Sequence, residues 1–129
     1  MKYMLMMTGT KAEFDWYMKW KPEDFQAHST YMRKLSKELK DEGKFVATEG
    51  LGWPNQANTV RAANDGTPIT DGVFPESKEF LAGYWIVDVD SADEAYRIAA
   101  RISAQPAPGG AVGNAPIEVR QIMSGPPDA

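Results

Sequence analysis

The 129 residues include 14 Lys and Arg against 18 Asp and Glu, a formal charge of −4, with 43% hydrophobic and 25% charged residues. That length and composition suit one folded domain with its own core. The lack of Cys excludes disulfide scaffolds, zinc ribbons, thiol catalysis and iron–sulfur ligation, and an acidic chain without a basic tract gives no reason to expect a nucleic-acid partner.

Tyr3 to Met7 is a short apolar run ended by Thr8 and Gly9, which reads as a buried strand. Gly9, Lys11 and Glu13 interrupt it before it reaches signal or membrane length, so the expectation is a soluble, cytoplasmic protein with no membrane contact. Phe14, Trp16, Tyr17 and Trp20 follow at spacings that fit neither a strand nor a long helix, and the stretch reads as a loop or single turn. Pro22 with Glu23 and Asp24 then signals a helix start. Phe25, His28, Met32, Leu35 and Leu39 form its inward stripe, and Gly43 ends it.

Phe45 to Leu51 and Asn58 to Ala63 read as two strands, with Asp65-Gly66 as a turn closing the second. The polar segment around Ile69 to Gly72 leaves room for one extra strand. Leu81 to Val89, rich in aromatic and β-branched residues, is the clearest strand. Ser91 and Glu94 form a capping-box pattern at the start of a second helix, whose inward stripe is Ala95, Ile98, Ala99 and Ile102. A Pro/Gly-rich loop from Pro106 to Gly113 leads to a last strand, Ile117 to Met123. Residues 1–123 thus read as one domain and 124–129 as a flexible tail.

The order β-α-β-β-α-β predicts an α+β, ferredoxin-like fold: an antiparallel sheet with two helices on one face. Both parities of Leu81 to Val89 are apolar, Tyr84 and Ile86 on one side and Trp85 and Val87 on the other. The face without helices therefore predicts a homodimer packed sheet to sheet.

Ile69 to Glu79, Ile-Thr-Asp-Gly-Val-Phe-Pro-Glu-Ser-Lys-Glu, followed by Leu81 to Val89, resembles the signature of the YCII-related family and of its DGPF branch. The likeness extends through Ser91, Glu94, Ala95, Ala99, Ala100 and Ile117 to Arg120, and includes the opening Met1 to Leu5. Val73 stands where the branch has Pro, which restores a backbone N–H. The resemblance implies a dimeric α/β-barrel arrangement with a pocket between helices and sheet. It also implies lyase- or dehalogenase-like chemistry on ring substrates through a His and an Asp, without a cofactor, and for some members an association with sigma factors.

His28, the single His of the chain, is the natural general acid or base near neutrality, against a structural reading in which it holds a backbone carbonyl. Asp71 is its candidate partner, against the common use of Asp-Gly as a capped turn. Trp16, Trp20 and Tyr84 offer stacking surfaces for a cyclic ligand, the two tryptophans as a lid. Glu49 and Lys78 are further candidate ligand contacts, though a cross-strand ion pair between Glu49 and Arg61 is the plainer expectation for Glu49. One His, no Cys and no recognisable ligand spacing imply no metal site. The competing functional expectation is a non-catalytic ligand-binding or regulatory module using the same pocket.

Overall fold

A computed structural model describes residues 1–71 and 79–124. Lys78, Val73, most of the signature segment and the tail beyond Ser124 lie outside the described residues. Strand β1 (Lys2–Gly9) is followed by α1 (Lys11–Met18), α2 (Pro22–Asp41), β2 (Phe45–Gly50), β3 (Val60–Ala62) and β4 (Pro68–Thr70). Strand β5 (Phe80–Asp88), α3 (Ala92–Ser103) and β6 (Ile117–Gln121) complete the chain. The main sheet is four-stranded and antiparallel in the order β2-β5-β1-β6, the ferredoxin-like order.

The period-two pattern of β1 and β5 positions the core. Tyr3 pairs opposite Val87 and Leu5 opposite Trp85, and all four are buried on the face that receives the helices. Leu35 and Leu39 of α2 and Ile98 and Ile102 of α3 close over them. Pro22 occupies the first turn of α2, and Gly43, at φ 73°, lets the Lys44 N–H turn back to the Leu39 carbonyl at 2.9 Å. Ser91 caps α3 as its sequence predicts, accepting from the Glu94 N–H at 3.2 Å.

The aromatic stretch expected to be a loop or turn forms α1. Thr10 and Glu13 make a reciprocal capping box, with the Glu13 N–H donating to Thr10 Oγ1 at 3.3 Å and the Thr10 N–H reaching Glu13 Oε1 at 3.4 Å. That local nucleus starts a helix of eight residues, none of them fully buried.

The second correction concerns β2 and β3. They were expected to be neighbours, but β2 pairs with β5, while β3 forms a separate two-stranded hairpin with β4, the extra strand, around the Asp65-Gly66 turn. Glu49 therefore faces Tyr84 across the ladder, and the expected Glu49–Arg61 pair is replaced by Arg61 with Asp71 inside the hairpin. The outer sheet face carries Met4 opposite Ile86 and Met6 opposite Tyr84, all half-buried, bordered by Glu118 and Arg120 of β6. Among the described residues no helix is long and apolar enough to cross a membrane.

Candidate functional site

The inward stripe of α2 places His28 one turn before Met32 and two before Leu35, above the sheet but short of its sealed core. The imidazole borders a cavity of about 560 Å³, within the roughly 300–1,000 Å³ usual for small-molecule sites. Its walls come from the ends of β1 and β2, the middle of β5, helices α1 and α2, the segment around Trp53 and the loop after α3.

Aromatic rings dominate these walls. Tyr17 lies edge-on to Trp20 at 4.8 Å, to Phe25 at 4.9 Å and to the His28 ring at 5.8 Å. Trp20 stands 6.1 Å from His28 and 5.2 Å from Trp16, and Phe14 meets Trp53 edge to face at 5.2 Å. Such edge contacts hold the rings rigid and leave π-faces for a ligand. Trp16 remains 55% exposed, at the solvent side of the cluster.

Nε2 of His28 is hydrogen-bonded to Oε1 of Gln105, a residue 94% buried just past the end of α3. An amide oxygen only accepts, so the proton sits on Nε2 and the lone pair on Nδ1. Burial holds the imidazole below its ordinary pKa of 6.5, opposed in part by the Gln105 bond, and His28 is neutral at pH 7. Burial likewise pushes the Tyr17 phenol up, so it too is uncharged.

Gln105 is fixed by the loop behind it. Its carbonyl accepts from the Gly113 N–H at 2.8 Å, the Asn114 N–H reaches Ser103 O at 2.9 Å, and Ser103 Oγ donates to Ala115 O at 2.7 Å. A Cβ on Gly113 would lie 2.7 Å from the Gln105 oxygen, so the close approach requires glycine.

The sequence candidates separate into two places. His28, Trp16, Trp20, Glu49 and Tyr84 all border the cavity. Glu49 and Tyr84 do so from the outer-face parity, opposite to that of Thr48 and Trp85. Asp71 is not among the lining residues: Arg61 Nε donates to its Oδ2 at 2.8 Å, with Nη2 2.7 Å from the same oxygen. The hydrogen-bond partner of His28 is Gln105 and that of Asp71 is Arg61. Sequence reasoning did not find Gln105, Arg33, Phe14 and Tyr17 as lining residues; the Thr10/Glu13 capping box was the available signal for the last two. No cluster of three or more His, Asp or Glu suited to a metal occurs among the described residues.

The model of the YCII-related domain matches residues 1–121. An uncharacterised protein of Rhizobium meliloti (strain 1021) is 30% identical over 84 residues, 65% of this chain and 68% of that protein.

Proposed function

From the premise that the chain belongs to the YCII-related family, we propose that it binds a small cyclic, aromatic-derived molecule in the cavity beside His28. The supporting observation is the pair of rings, Tyr17 and Trp20, set edge-on to a neutral imidazole whose tautomer Gln105 sets, with Phe25 packed behind them. Aromatic walls supply area at low entropic cost, and the imidazole supplies one oriented polar contact. Calorimetric titration with a panel of ring compounds tests this. Binding that weakens in Tyr17→Ala and His28→Ala supports the reading, and absence of heat across the panel overturns it.

A second reading makes the site catalytic, a cofactor-independent lyase or isomerase. It is favoured by the neutral His28, whose Nδ1 lone pair is ready to accept a proton from a bound carbon or hydroxyl acid. In that reading Gln105 orients the base where the family resemblance would use Asp71, and His28→Ala abolishes turnover while ligand still binds. A YCII-like pocket of the DGPF type in a cytoplasmic regulator, without turnover, is the binding-only version.

The outer sheet face completes the proposal. Met4, Met6, Tyr84 and Ile86 form a contiguous apolar patch, with Glu49 and Glu118 at the same level and Arg120 and Lys2 beyond it. Such a patch, with both charge signs in successive rows, suits a second copy of this chain related by a two-fold axis.

A further inference from the structure

Several polar groups bordering the cavity are already engaged. The Ser36 hydroxyl donates to Met32 O at 3.1 Å, and that of Thr48 to Tyr84 O at 3.0 Å. Glu13 is held by the N-cap of α1, receiving the Thr10 hydroxyl at 3.2 Å as well as its N–H. Gln105 is occupied by His28.

Among the groups left unengaged, the Arg33 guanidinium and the Trp20 indole N–H are pure donors. The Arg33 guanidinium, exposed on α2 and bordering the cavity, makes no ion pair or hydrogen bond among the described residues. The Trp20 indole Nε1 is shut off from water and has no acceptor. An unpaired buried N–H is destabilising, and a ligand acceptor that turned the indole N–H towards the cavity would remove that penalty.

We propose that the ring compound bound in this cavity carries an anionic acceptor, a carboxylate or phenolate, received by the Arg33 guanidinium and the Trp20 indole N–H. This inference rests on the ring-binding reading and specifies its ligand class. Aromatic cages also take cations, but the Arg33 guanidinium at this cavity repels one. Of the two carboxylates that border the cavity, Glu13 is spent on its cap and Glu49 approaches from the outer-face parity of β2. A planar anion instead matches the fork of an arginine and the single donor of an indole.

The test is calorimetric titration of the full chain with 1-naphthoate, the uncharged 1-naphthamide and cationic 1-naphthylmethylammonium. Naphthoate is expected to bind about tenfold more tightly than the amide, and Arg33→Gln, at an exposed position, to reduce that preference to within about twofold. Trp20→Phe keeps a ring but loses the N–H, and is expected to weaken naphthoate about threefold or more with the circular dichroism spectrum unchanged. Comparable binding of all three probes, or a preference that survives Arg33→Gln, overturns the anionic ligand and leaves ring binding standing. Unaltered naphthoate affinity in Trp20→Phe overturns the assignment of Trp20. No binding of any naphthyl compound overturns both the inference and the reading beneath it.

Discussion

The Nε2 proton of His28 is donated to the side-chain oxygen of Gln105, 77 positions further along the chain. Since His28 is the single His of the sequence, its imidazole resonance is unambiguous in an NMR titration. Burial places its midpoint below 6.5. Gln105→Glu sets a carboxylate against the same nitrogen, favours the charged ring, and is expected to raise the midpoint relative to the wild type. A wild-type midpoint at or above 6.5 would show that the ring is not desolvated as described.

The same shift sets the pH dependence of stability. The folded pKa of His28 is lowered, so the unfolded chain binds more protons than the folded one between the folded midpoint and 6.5. The contribution is fully present above about pH 6.5 and is lost as pH falls towards the folded value. Urea midpoints are therefore expected to decline from pH 7.5 to 5.5, and less steeply in His28→Gln. Equal slopes in the two proteins would remove His28 from the acid sensitivity.

How much of this was legible depends on the range of the interaction. Strands β1, β5 and β6 and helices α2 and α3 follow from period-two and period-3.6 patterns and from the Ser91 and Pro22 starts, all local signals. Helix α1 was hidden because Phe14, Trp16 and Tyr17 dominate its composition, although Thr10 and Glu13 carried its signature. The pairing of β2 with β5 rather than β3 is a long-range choice, made where nine residues of β5 lie in the sheet and both faces are apolar. His28 was legible as a cavity residue from its place in the α2 stripe. Its partner was not, because Gln105 is delivered by the loop folded behind α3, and Asp71 had a nearer cation in Arg61.

The engagement of Asp71 by Arg61 gives a direct contrast. Arg61 is largely exposed, so the ion pair contributes little, and Asp71→Asn is expected to change global stability by less than about 1 kcal/mol. It should also leave the His28 titration and ring-compound affinity unaltered. A shifted His28 midpoint in Asp71→Asn would demonstrate electrostatic contact between the two and restore the carboxylate as the partner of the imidazole.

Gly113, in the loop at the cavity wall behind Gln105, supplies a further test. Its would-be Cβ meets backbone, the Gln105 carbonyl, rather than a side chain that can swing away. Gly113→Ala is expected to cost about 1–3 kcal/mol and to move the His28 midpoint, because displacing Gln105 disturbs the hydrogen bond on Nε2. Gly50→Ala, with no atom within 4 Å of the added carbon, is the control and should stay within about 0.5 kcal/mol. Destabilisation without movement of the midpoint would mean that the loop yields elsewhere and does not position Gln105.

The outer face provides the last test. Ile86 sits at its centre, opposite Met4 on one side and Ala47 on the other, and is only half-buried in the isolated chain. In a two-fold dimer every substitution appears twice, so Ile86→Glu places two carboxylates in one apolar seam. Burying unpaired charge is expensive enough to dissociate a modest interface, whereas in a monomer the same side chain points to water and costs little. Sedimentation equilibrium should therefore show a dimer for the wild type and a folded monomer for Ile86→Glu, with the His28 resonance unperturbed in both. A wild-type monomer at all concentrations would assign the patch to a different partner and leave the His28 wall of the cavity, on the helix side of the sheet, unaffected.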